Sequence, residues 1–187
     1  MKIKTALSSI AILSLMSACS SSSSGNQSFD QLATKGQNII TKYEDADLTP
    51  ESEMPTVGTA TYNGVAAFSS VADAEYIAEN ADAVAALRLE ANFGDSTIGG
   101  KMDNFVDYDN VRAPGSVQVT NGTISGNAFN ADLDGDITIE GEAVTVSGDM
   151  AGGFLGADAN AVAGAIQADL SSGGGTETLY GIFGAEK

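Results

Sequence analysis

Few side chains in this sequence are of types that do chemistry. There is no histidine and a single cysteine, Cys19. That composition removes Ser-His-Asp and Cys-His catalysis, the common zinc sets and a histidine-ligated haem. Carboxylates are plentiful, 25 against eight Lys and Arg. A glycosidase, however, needs two of them facing each other across a cleft, and here they fall in turns or at alternate strand positions such as Glu90. No catalytic residue and no cofactor is expected.

Cys19 has its own signal. Lys2 and Lys4 precede an apolar run from Ala6 to Met16, too short to span a bilayer as a mature helix, which is the layout of a secretory signal peptide. The run ends in Leu15-Met16-Ser17-Ala18-Cys19, with small residues before the cysteine as signal peptidase II requires. Cys19 is therefore the expected lipid attachment site and first mature residue, and as the only cysteine it has no disulfide partner. Ser20 to Ser24 with Gly25 and Asn26 make a flexible polar leash. Ser20, rather than Asp, after the cysteine fits an outer-membrane destination. Loss of residues 1–18 leaves six basic and 25 acidic residues, a net charge of −19, which disfavours nucleic acid and anionic head groups as partners.

Two further groups are candidate ligands. Asn130, Asp132, Asp134, Gly135 and Ile137 match early positions of a calcium loop, but Gly141 stands where the bidentate acid belongs and no helices flank it. The stretch reads instead as a β-hairpin turned by Asp134-Gly135. The aromatic residues Tyr62, Phe68, Phe93, Phe105, Phe129, Phe154 and Phe183 recur about once per strand. They either fill a core or line a pocket for a small hydrophobic ligand or haem, with Tyr62 as axial ligand.

The elements that position these residues follow from periodicity. Ser28 to about Glu44 predicts an amphipathic helix with Phe29, Leu32, Ala33, Ile39, Ile40 and Tyr43 on one face. Ser28 and Gln31 form a capping box, and Gly36 weakens the middle. The helix face is expected to pack on the domain or cap one end of it. Asp45 to Pro55 is an acidic, proline-bounded linker. From Val57 the period becomes two: Ala60, Tyr62, Gly64, Ala66 and Phe68 share a face, as do Leu87, Leu89, Ala91 and Phe93. A turn at Gly94-Asp95 leads to Thr97–Val106.

Further strands are expected at 116–120, 123–133, 137–139, 144–155, 161–170 and 178–185, turned by Asn121-Gly122, Asp134-Gly135 and Gly173-Gly174-Gly175. Ser70 to Asp82 is a loop or a helical turn outside the wall. The pattern predicts an all-β chain, a small closed antiparallel barrel of about eight strands. The expected organisation is signal peptide 1–18, tether 19–27, helix and linker 28–55, and barrel 56–187.

Val84 to Lys187 carries recurrent motifs. They are the hairpin Leu89-Glu90-Ala91-Asn92-Phe93-Gly94-Asp95-Ser96-Thr97-Ile98-Gly99-Gly100-Lys101-Met102, the segment Thr123 to Phe129, and Val146 to Gly156 with Gly-x-Phe-x-Gly, continuing through Ala159 to Val162-Ala163-Gly164-Ala165-Ile166. The closing run is Tyr180 to Lys187. In these the chain resembles the β-barrel domain of transferrin-binding protein B and related surface lipoproteins that include factor H binding protein. The motifs are structural, so the resemblance implies the barrel and leaves the ligand unspecified. One barrel stands here where that family has two lobes, without room for the large handle domains.

The resemblance favours a non-catalytic binding module anchored to the outer membrane through the Cys19 lipid. Segments Ser70–Asp82 and Asp103–Gly115 are its candidate protein-binding loops. The alternatives are a carrier of a small hydrophobic ligand or haem, and a structural envelope lipoprotein.

Overall fold

The computed structural model describes residues 26–187; the expected signal peptide and Cys19 lie outside the described residues. Helix α1 (Phe29–Tyr43) begins where its capping box places it, with Gln31 N–H donating to Ser28 Oγ and Ser28 N–H donating to Gln31 Oε1. Eight strands follow: β1 (Thr59–Ser69), β2 (Ala83–Asn92), β3 (Thr97–Asp107), β4 (Arg112–Ser125), β5 (Ala128–Ile139), β6 (Glu142–Leu155), β7 (Ala161–Ser172) and β8 (Gly175–Glu186). Each pairs antiparallel with the next, and β8 pairs with β1 to close the barrel. Closure pairs Asn63–Ser69 of β1 with Tyr180–Glu186 of β8 and so removes most of the open edge that is the usual liability of a sheet.

The alternation assigned to β1 and β2 holds: Tyr62, Ala66, Phe68, Leu87, Leu89 and Ala91 are buried inside the barrel, while Glu90 is exposed. On the outside of the same wall, Val65, Val84 and Val106 pack under Leu32 of α1. This explains why the second half of β1 is buried on both faces. Leu32 and Ile39 carry the contact face of the helix, whereas Ile40, expected on that face, is exposed. A short helix α2 (Ala74–Glu79), capped by Asp73, occupies the Ser70–Asp82 stretch and tucks Ile77 against the wall from outside.

Two expected turns are corrected. Asn121-Gly122 does not end a strand: β4 runs through it to Ser125, with a bulge between Thr120 and Thr123 where Asn121 takes a φ of 52°. Asp134-Gly135 also lies inside a strand, because β5 is continuous from Ala128 to Ile139 and Gly135 pairs with Val117 on one side and Val146 on the other. The glycine is required there for a different reason. A Cβ on Gly135 would collide with the Ser116 carbonyl oxygen and the Val117 Cα, so the residue permits close strand approach on a tightly coiled wall. The β4–β5 turn falls instead at Gly126-Asn127.

The strand order gives the barrel two unlike ends. The β1–β2 connection with α2 and the β3–β4, β5–β6 and β7–β8 turns surround one, here called the mouth. The β2–β3, β4–β5 and β6–β7 turns surround the far end. Helix α1 starts near the mouth, where Phe29 N–H donates to Asn110 Oδ1, and finishes at the far end, where Lys42 pairs with Glu186. The following segment then crosses that end: Thr49 N–H donates to Phe154 O at 2.8 Å, Thr49 Oγ1 to Gly156 O at 2.6 Å, and Asn127 Nδ2 to Thr49 O at 2.9 Å. Buried Thr49 is thus fully satisfied, as a polar group under a lid must be.

Candidate functional site

The far half of the barrel is solid. Phe154 is its hub, with ring centroids 6.0 Å from Tyr62, 5.6 Å from Phe93 and 5.6 Å from Phe129, which in turn lies 6.0 Å from Phe183. These tilted contacts suit the ring quadrupoles. The Tyr62 hydroxyl donates to Ala159 O at 2.8 Å, and burial pushes its pKa well above the ordinary tyrosine value. Tyr62 is therefore a protonated core residue engaged with backbone, and this half offers no space for a porphyrin beside it.

The mouth half is different. Phe68, Met102, Phe105, Ile137, Leu170 and Leu179 line an apolar cavity of about 140 Å³ that opens between the turns. Drug-sized and cofactor pockets are larger, about 300–1,000 Å³, so the interior suits a group no bigger than a benzene ring with a short chain. The seven aromatic residues divide accordingly: five fill the far half and two, Phe68 and Phe105, line the cavity.

The rim is acidic. Strand register gives Asp107, Glu142 and Glu177 the inward parity at the mouth, through the pairs Ala83 with Asp107, Ile139 with Glu142, and Leu170 with Glu177. Glu140 lies in the β5–β6 turn against the same opening. The nearby base, Arg112, pairs with Val106, whose side chain lies in the outer cluster under α1, so it faces outward. There its guanidinium donates to Asn104 Oδ1 and to the carbonyls of Asn26 and Gln27, at 3.0 and 2.9 Å, while Asn104 Nδ2 donates to Gln27 O. Asn26 and Gln27, the last residues of the expected tether, are thereby clamped beside the mouth.

Asn130, Asp132 and Asp134 lie on the exposed outer face of β5. Alternate residues on one strand face stand about 7 Å apart, too far to converge on an ion that needs oxygens at about 2.3–2.6 Å. Asn130 accepts from Thr123 and Asp132 from Asn121 across the sheet. Neither the calcium loop nor the hairpin turn expected for this stretch forms, because alternation in an unbroken strand disperses its acids along one face.

Sequence reading missed the clamp and the acidic rim. Arg112 is one of only two arginines in the chain, and Glu142 and Glu177 sit in phase with the inward residues that follow them, Val144 and Leu179. Those signals were present, but they acquire meaning only once barrel closure brings the strand ends together at one mouth.

A closed, mostly filled antiparallel barrel of eight strands, with a lidded far end and an open apolar mouth, places the chain among small β-barrel domains. Within that class, residues 54–187 match the model of the C-lobe and N-lobe beta barrels of Tf-binding protein B, and the chain belongs to that family. Among solved structures, it is similar to a double mutant of transferrin-binding protein B from Haemophilus parasuis Hp5, at 23% identity and a TM-score of 0.47, with 75% of this chain covered. The chain spans 28% of the length of that protein. A search of curated protein sequences finds no match.

Proposed function

We propose that this chain is an outer-membrane lipoprotein, acylated on Cys19, whose barrel is a non-catalytic module for protein capture. The observation that carries this reading is membership of the transferrin-binding protein B barrel family over residues 54–187, in a barrel whose far half is packed solid. The lipoprotein signal ending at Cys19 and the serine leash after it support the anchor.

The clamp adds an orientation. Six residues lie between Cys19 and Asn26, a reach of at most about 25 Å, and Asn26 is held by Arg112 beside the mouth. The mouth then faces the membrane, and the turns of the far end, with Asp95, Asn127 and Asp158, are presented outward. Ser70–Asp82 and Asp103–Gly115 border the mouth, so on this geometry the far-end turns take precedence over them as the protein-binding surface.

The test is photocross-linking on liposomes carrying the full lipidated chain, with a photoreactive residue at position 95 or 109 and transferrin as the first protein offered. A cross-link from 95 and none from 109 is expected. A cross-link from 109 alone would overturn the orientation, and none from either position would remove transferrin as the ligand.

A further inference from the structure

We infer that the mouth cavity is a binding site for a small amphiphile with an aryl or short alkyl body and a cationic ammonium head. The inference deepens the binding-module reading and rests on it only for the use to which the site is put. The site itself rests on three observations.

The first is size and lining. The cavity of about 140 Å³ is walled by Phe68, Met102, Phe105, Leu170 and Leu179, and a dry apolar cavity of about 150 Å³ holds a benzene molecule. Removing the apolar surface of such a body from water favours entry.

The second is charge. Among the side chains of inward parity at the rim, Asp107, Glu142 and Glu177 are carboxylates; Asp107 and the turn residue Glu140 border the cavity, and Glu142 and Glu177 border the opening beside it. Arg112 borders the same cavity, but its guanidinium is held in the clamp on Asn104, Asn26 and Gln27. The carboxylates disfavour an anion at this opening and offer a cation acceptors beside an apolar well.

The third is access. The β3–β4 corner that borders the mouth also holds Asn26 and Gln27, so the chain leaves the domain beside the opening. A free small molecule reaches a site crowded in this way, whereas a folded protein does not dock there easily. The occupant is therefore assigned as a free amine and not as a partner's side chain.

The experiment uses the full chain purified in non-ionic detergent and titrated calorimetrically with phenethylammonium, phenethyl alcohol and 3-phenylpropionate, which share a body and differ in charge. The ammonium is expected to bind at least tenfold more tightly than the alcohol, and the propionate not measurably. Ala168→Leu, which fills the cavity, should weaken the ammonium at least tenfold. The Glu142→Gln, Glu177→Gln pair alters only exposed rim carboxylates; it should erase the preference for ammonium over alcohol and leave alcohol binding unchanged.

Equal binding of all three probes would overturn the proposal, as would no binding to a protein that still unfolds cooperatively. Binding that Ala168→Leu leaves intact would identify simple partition into the micelle and overturn it as well. A failure here leaves the lipid anchor and the far-end cross-link untouched, so the two readings fail separately.

Discussion

Two glycines of opposite meaning show how local geometry decides the sign of a substitution. At Gly36, in the middle of α1, an added Cβ would meet Val65 at 3.6 Å, ordinary contact. Gly36→Ala should therefore stabilise the fold by about 0.5–1 kcal/mol through helix propensity. At Gly135 the same methyl collides with the β4 backbone, and Gly135→Ala should cost at least about 1–3 kcal/mol, the range for overpacking. Urea denaturation of both variants checks the pair, and the same sign for both would refute the reading. Tyr62 gives a pH prediction. Its pKa is raised by burial in the folded state, so the unfolded chain loses this proton first. The contribution is complete below the ordinary tyrosine pKa of about 10 and declines as pH rises above it. Tyr62→Phe should cost about 1–3 kcal/mol at neutral pH by stranding the Ala159 carbonyl and should flatten the loss of stability above pH 10. An unchanged alkaline slope would mean that the hydroxyl is not held as described.

At the scale of elements, the clamp makes the N-terminus of α1 depend on the β3–β4 corner, 85 residues away in sequence between Gln27 and Arg112. Arg112→Ala should raise hydrogen exchange in the first turn of α1 while leaving the β5–β6–β7 wall protected. Uniform loss of protection would instead mean that Arg112 supports the whole barrel. The elements also show what the sequence made legible. Two-residue periodicity identified β1 and β2 nearly to the residue because their inward positions alternate, and the Gly94-Asp95 turn located β3 as the return strand. The capping box located α1 for a similarly local reason. Asn121-Gly122 and Asp134-Gly135 misled because Asn-Gly and Asp-Gly favour turns only where the chain is free to turn. In a tightly coiled barrel the same glycines serve a bulge and a close strand approach, and the neighbouring strand, absent from local sequence, decides between these uses. The acids of the mouth were hidden for another reason: Asp107, Glu142 and Glu177 lie at or just outside the ends of the expected strands, 97–106, 144–155 and 178–185, beyond the span over which the pattern is read.

For the whole molecule, a strap, a lid and a barrel make one object with a direction. Helix α1 runs from mouth to far end, the Asp47–Thr49 segment closes the far end, and the barrel returns its chain terminus there, with Lys187 N–H donating to Asn160 O. Phe154 sits where these parts meet, and Phe154→Ala should cost about 3–5 kcal/mol and loosen the lid, seen as increased exchange at Thr49, whose amide donates to Phe154 O. Direction matters functionally only if the chain is held at one end, which makes the anchor the central claim. The decisive measurement is the intact mass of the protein extracted from outer membranes of cells expressing the full chain. The account predicts a polypeptide from Cys19 to Lys187 carrying diacylglyceryl and N-acyl additions, both lost in Cys19→Ala. An unacylated chain beginning at any other residue would contradict it.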